Sequence, residues 1–333
     1  MANILVLGAG TWGSVVANLL TDNGHSVTCW ARNENLIDSL NKNHVHDKLP
    51  GVVFSDKIKF TTDFSGSFSN KDIIIYAVPS NAFREVVSKS IPYINGKSFL
   101  VSLTKGMEHD SLFTMSEIIE DELKKKGIEN DKIVALSGPT HAEEVGKRMS
   151  SMIVSASSND TAAKYIQDVF MNEYFRVYTN NDIKGVEVCA AFKNVIALAC
   201  GIIAGVGDGD NMKAATITRG LAEMIRVGAA LGCKKDTFYG LAGVGDMIVT
   251  AMSTNSRNYN CGKLIGSGMN PKDAIKRIGM VVEGVNFLPT AMELKKKYNV
   301  EIPITSGVYD IVYNGKSSKD IVIDLMTRNK KAE

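Results

Sequence analysis

A chain of 333 residues is longer than one hydrophobic core usually serves, so two domains are expected. Its 44% apolar and 22% charged residues are those of a globular protein, and 38 Lys and Arg against 36 Asp and Glu leave a net charge of +2. That balance excludes a disordered chain and a global field for wrapping nucleic acid or coating an anionic membrane, so an anionic ligand must be held locally.

Met1 is followed almost at once by a strand-like Ile4-Leu5-Val6-Leu7 with no leader pattern ahead of it, and the mature fold is expected to begin there. Further strands are predicted at Ser26 to Trp30, Asp72 to Val78, Phe99 to Leu103, Ile133 to Leu136 and Met152 to Ser155. Between them lie helical patterns such as Trp12 to Leu20, Ala82 to Ser90, Leu112 to Lys126 and Ala162 to Phe170. Strands alternating with helices require a mostly parallel sheet covered on both faces, and Ile73 to Val78, apolar without interruption, reads as its buried centre. Beyond about residue 182 the strand pattern fades, and helical spacing runs through Val186 to Ala204, Met212 to Leu231, Asn286 to Tyr298 and Asp320 to Met326. Glycine-rich breaks are expected at Gly201 to Gly209, Gly240 to Gly245 and Gly262 to Gly268.

The loop Gly8-Ala9-Gly10-Thr11-Trp12-Gly13 lies between the first strand and the first helix, the context of a dinucleotide fingerprint. Gly8 allows the tight turn, Gly10 lets a pyrophosphate approach the backbone, and Gly13 lets the helix press on the sheet. The expected architecture is therefore α/β: a Rossmann-like, doubly wound N-terminal domain over residues 1–182 that binds the dinucleotide, and an all-α, substrate-binding C-terminal domain over residues 183–333. Where an acid would bind the ribose of NAD, the chain has Trp30-Ala31-Arg32. Arg32 is open to two readings, a partner for the 2′-phosphate of NADP or an ordinary exposed Arg at a strand end; the first favours NADPH over NADH as cofactor, with either admissible.

Lys105, in Ser102-Leu103-Thr104-Lys105-Gly106, stands just past a strand end where ligands of open α/β sheets collect, and Ser137-Gly138-Pro139-Thr140 repeats that placement. In the helical half, Lys193 and Asn194 interrupt the apolar run Ala190 to Ala199; a solvated stripe and burial are both open readings. Asp246 follows Gly243 and Gly245, and Ser256-Arg257-Asn258 offers a guanidinium between two short hydrogen-bonding side chains, a set that suits a phosphate.

Eight motifs in this order carry a family resemblance: the Gly8 to Gly13 loop, Tyr76 to Ser80, Thr104 to Gly106, Ser137 to Thr140, Phe192 to Ala197, Asn211 to Gly220, Leu241 to Asp246 and Asn255 to Asn258. Together, with Val281 to Gly284 closing the series, they resemble the NAD(P)-dependent glycerol-3-phosphate dehydrogenases. The resemblance implies an oxidoreductase that interconverts dihydroxyacetone phosphate and sn-glycerol 3-phosphate, supplying the latter for phospholipid synthesis. It implies cofactor contacts at Thr11, Trp12, Arg32, Lys105, Ala142, Arg257, Val281 and Glu283, and substrate contacts at Lys105, Gly138, Thr140, Lys193, Asp246, Ser256, Arg257 and Asn258. Lys193 matches the proton donor and acceptor, while Asp246 orients Lys193 or holds a substrate hydroxyl. Thr11 stands where Ser is common in the family, and Thr140-His141 where Ser-Phe is more frequent. A homodimer is implied by family resemblance and by frequency.

A different hydroxyacid dehydrogenase, lacking the phosphate clamp, and a nicotinamide-sensing module without turnover are the competing readings. No metal is expected: His44 and His46 read as loop residues, and Asp208-Gly209-Asp210 as part of an interhelical turn. The longest uncharged apolar run, Val195 to Val206, falls short of the roughly 20 residues of a bilayer span, so no membrane segment is expected. Five scattered cysteines show no paired spacing, which fits a reducing, cytoplasmic location.

Overall fold

In the computed structural model, residues 1–94, 96–330 and 332 are described. The chain divides into two units, Met1–Lys105 with Phe113–Glu187, and Gly106–Leu112 with Val188–Glu333. The division falls inside one helix, Ile183–Val206, after Glu187.

Among the described residues the first unit holds eight strands: β1 (Asn3–Leu7), β2 (Ser26–Trp30), β3 (Lys59–Thr61), β4 (Ile73–Tyr76), β5 (Phe99–Ser102), β6 (Ile133–Ser137), β7 (Ser151–Ala156) and β8 (Phe175–Asn180). Their order in one sheet is β3-β2-β1-β4-β5-β6-β7-β8. β4 pairs in parallel with β1 and β5, and all four of its residues are buried, as an apolar run with no polar face demands. Its alternation sends Ile73 and Ile75 to one core with Val15, Val16, Leu19 and Leu20 of the first helix. Ile74 and Tyr76 go to the other core with Phe83, Val87, Ile118 and Ile119. The fold class is thus the expected Rossmann-like one, with helices on both faces of a mostly parallel sheet.

Two strands lie outside the six expected. β3 has only three residues, too few for periodicity to register, and β8 alternates Phe175 and Val177 inward with exposed Arg176 and Tyr178 at the sheet edge. One pairing departs from parallel, that of β6 with β7. The only helix in their connection is Ala142–Gly146, whose five residues span about 7.5 Å. It is too short to carry the chain back along the sheet, so β7 runs back antiparallel to β6.

The second unit is helical, as expected. Through it runs the part of the helix Ile183–Val206 beyond Glu187, mostly apolar; by length and composition the whole helix is fit to cross a membrane, but 89% of its apolar window is buried inside the protein. The expected break at Gly201 to Gly209 begins only at Gly207, which leaves the helix at φ +98°. Gly201 and Gly205 stay helical because they are contact points. A Cβ at Gly201 would lie 2.0 Å from the Tyr259 carbonyl oxygen, and one at Gly205 2.3 Å from that of Lys263. The facing helix, Arg257–Gly266, answers with Gly262 and Gly266, whose Cβ atoms would each lie 2.1 Å from the carbonyls of Leu198 and Ile202. The expected break at Gly262 to Gly268 is therefore also helical through Gly266, and Gly240 to Gly245 holds a π-helical turn, Leu241–Gly245. Asp210, of the expected turn, opens the helix Asp210–Ala230 and pairs with Lys213.

Candidate active site

In the first unit the glycine-rich loop has the shape its spacing implies. Gly8 adopts φ +122°, and a Cβ there would strike the Ala77 carbonyl oxygen at 2.5 Å. A Cβ at Gly13 would lie 1.9 Å from the carbonyl oxygen of Gly8, so the helix Thr11–Asp22 packs against the turn only with glycine there. Gly10 differs: a Cβ there meets nothing within 4 Å and projects into open space at the helix N-terminus. The first turn carries no acidic side chain, and its N–H groups lack intrahelical partners. These residues fit a dinucleotide pyrophosphate. Thr11 and Trp12 open the helix, and Arg32, past the end of β2, leaves 68% of its side chain exposed.

At the ends of β5 and β6 the structure brings together Lys105, Gly138 and Thr140. Lys105 Nζ donates to the Gly138 carbonyl at 3.3 Å, and Thr140 Oγ1 donates to the same oxygen at 3.3 Å. Ala142 begins the short helix that follows.

In the second unit Lys193 is 5% exposed and Asp246 1%. Burial, not the solvated stripe, is therefore the reading that holds for Lys193. Its Nζ donates to Asp246 Oδ1 at 2.8 Å and to Thr250 Oγ1 at 2.7 Å, and Thr250 Oγ1 donates to the Asp246 carbonyl at 2.7 Å. The π-helical turn ends at Gly245 and delivers Asp246 to the first position of the helix Asp246–Met252. Asp246 and Thr250 then share a face one turn apart. Such π turns recur at functional sites.

Beside this cluster Asn258 is buried, with both ends of its amide engaged: Nδ2 donates to Asn194 Oδ1 at 3.0 Å, and Oδ1 accepts from Gly284 N–H at 2.8 Å. Ser256 Oγ caps the helix Arg257–Gly266 by accepting from Tyr259 N–H at 3.2 Å. Of the Ser256-Arg257-Asn258 trio, Arg257 alone is exposed, and its Nη1 donates to the Val281 carbonyl at 3.1 Å. Glu283 opens the next helix, Glu283–Tyr298. Sequence alone points neither to Thr250 nor to Asn194 as the partner of Asn258; the one available signal is the four-residue spacing of Thr250 from Asp246. Among the described residues no three His, Cys, Asp or Glu side chains converge to hold a metal ion.

Residues 3–163 match the family model for the NAD-dependent glycerol-3-phosphate dehydrogenase N-terminus, and residues 182–323 the model for its C-terminus. A glycerol-3-phosphate dehydrogenase [NAD(P)+] of Lactobacillus delbrueckii subsp. bulgaricus is 50% identical, the alignment covering 100% of this chain and 99% of that one. One from Bacillus subtilis is 48% identical over 100% and 96%. The crystal structure of glycerol-3-phosphate dehydrogenase from Coxiella burnetii superposes with a TM-score of 0.92 at 33% identity, covering 98% of this chain and 99% of that one. The chain belongs to the NAD-dependent glycerol-3-phosphate dehydrogenase family.

Proposed function

We propose that this enzyme interconverts dihydroxyacetone phosphate and sn-glycerol 3-phosphate, with Lys193 as the group that gives and takes the proton. The observation that carries the assignment is the buried Lys193–Asp246–Thr250 cluster. Taking an ammonium out of water is costly unless a carboxylate and hydrogen bonds receive it, and Asp246 with Thr250 supplies both. Asp246 is therefore read as orienting Lys193.

When bound, the nicotinamide cofactor supplies or accepts a hydride at C2 of the triose. In reduction, Lys193 passes a proton from Nζ to the C2 oxygen as that oxygen gains charge, and is left a neutral amine held by Asp246 and Thr250. In oxidation the same nitrogen takes the hydroxyl proton back. Arg257, exposed at the start of its helix, is the residue read as pairing with the substrate phosphate, and Asn258 and Ser256 fix the turn that presents it. Lys105, Gly138 and Thr140 are read as further substrate contacts. Gly8, Gly10, Thr11, Trp12, Gly13, Arg32, Lys105, Ala142, Arg257, Val281 and Glu283 are read as cofactor contacts, with Arg32 favouring NADPH. A cytoplasmic homodimer that supplies glycerol 3-phosphate for phospholipid synthesis completes the reading.

The test follows nicotinamide absorbance with dihydroxyacetone phosphate, NADPH and NADH being tried separately. Lys193→Ala is expected to lose turnover while still binding cofactor. Arg257→Ala is expected to raise KM for the triose phosphate about thirtyfold, the loss of about 2 kcal/mol of charge-assisted bonding. Wild-type turnover in Lys193→Ala would remove Lys193 from the mechanism.

A further inference from the structure

The position after β2 that would carry a ribose-binding acid holds Arg32, but an acid faces it from another element. Glu85, on the helix Ser80–Ser90 that follows β4, places Oε1 4.0 Å from Arg32 Nη1. Both side chains are exposed, at 68% for Arg32 and 51% for Glu85. Glu85 Oε1 also accepts from Lys89 Nζ at 2.6 Å, one turn along the same helix. The Lys89 hydrogen bond and charge, with a smaller contribution from Arg32, hold the Glu85 carboxyl below the usual carboxylate range. Glu85 is thus a fixed negative charge next to the guanidinium that the 2′-phosphate of NADP would need.

We propose that Glu85 is a specificity-determining residue, competing with the 2′-phosphate of NADP for Arg32 and so narrowing the preference for NADP over NAD. The inference rests on the reading of Arg32 as the 2′-phosphate partner. An exposed pair at 4.0 Å is weak and exchanges readily, so a phosphate with bidentate acceptors displaces it. The displaced carboxylate then stays close to the incoming phosphate charge and repels it. NAD, whose 2′-hydroxyl is neutral, neither needs Arg32 nor meets that repulsion. Glu85 therefore acts against one cofactor, as specificity requires.

Titration calorimetry with NADP+ and NAD+ tests this on the intact protein, comparing wild type with Glu85→Gln, Arg32→Gln and the double variant. Removal of the Glu85 charge is expected to tighten NADP+ relative to NAD+ by roughly three- to tenfold at low salt, with the gain fading near 0.5 M salt. The gain should shrink in the Arg32→Gln background, because its mediator is gone. A Kd ratio unmoved by Glu85→Gln, or moved equally with and without Arg32, overturns the proposal. Arg32→Gln alone, if it leaves NADP+ affinity unchanged, overturns instead the underlying reading of Arg32, so the two failures are told apart.

Discussion

Lys193 and Asp246 form an ion pair with hardly any solvent contact, and a buried pair behaves differently from a surface one. Deleting one partner leaves an uncompensated charge, at about 3–5 kcal/mol, whereas replacing both by apolar groups of similar size is often neutral. Asp246→Asn is accordingly expected to lower stability by about 3 kcal/mol and to cut turnover. The double variant Lys193→Met with Asp246→Leu should recover stability in urea denaturation without recovering turnover. If the double variant were as unstable as the single one, the pair would be holding the fold together for reasons beyond its own charges. Thr250 belongs to the same cluster. Its spacing from Asp246 is open to reading, but Thr114 and Thr305 also stand four positions after an acid, and only the shared contact with Lys193 distinguishes Thr250.

Where helices begin and cross, two devices decide stability. The helix Met115–Lys125 is capped from a distance: buried Glu187 accepts from Ser116 N–H at 2.9 Å and from the Ser116 hydroxyl. Burial pushes the Glu187 carboxyl up to about 7, against the hydrogen bonds from Ser116 and Thr114 that favour its charge. A carboxyl with a native value above its unfolded one binds its proton more tightly when folded. Its contribution is complete below about pH 4.5 and is lost as pH rises through about 7, a swing of about 3 kcal/mol. Glu187→Gln removes this dependence, so the stability of the variant relative to wild type should rise between pH 5 and pH 8 in urea melts. A difference constant with pH would refute it. The second device is the four-glycine crossing. Gly262→Ala would put a methyl 2.1 Å from the Leu198 carbonyl, a backbone atom that moves only with its helix. A loss of about 3 kcal/mol is expected from calorimetry, at the upper end of ordinary overpacking. From sequence these glycines predict breaks, because glycine disfavours helices in isolation. Close approach to a second helix reverses that preference, and the second helix lies some sixty residues away.

For the molecule as a whole, cofactor affinity and stability are linked. A ligand that binds only the folded state adds about 2.7 kcal/mol at 100 times its Kd. NADPH at that excess should raise the melting temperature of the wild type. Gly10→Val should melt as the wild type does without cofactor, since its φ of −70° and ψ of 179° suit valine and a Cβ there touches nothing. It should gain nothing from NADPH, because the new side chain enters the space proposed for the pyrophosphate. A cofactor-dependent rise retained in Gly10→Val would move the pyrophosphate elsewhere.

What one sequence determined was everything carried by neighbours along the chain: the glycine loop between strand and helix, the buried central strand β4, the change from alternating elements to helices near residue 182. Local conformation and apolar periodicity need no distant partner to be expressed. Only the tertiary structure decided whether Lys193 is dry, because desolvation depends on what packs around it, and its acceptors stand 53 and 57 residues away. The same holds for the edge strands β3 and β8, whose short or alternating patterns become strands when a neighbour supplies the hydrogen-bond ladder. It holds equally for Glu85, an ordinary surface acid until β2 and β4 lie close enough in one sheet to set it beside Arg32.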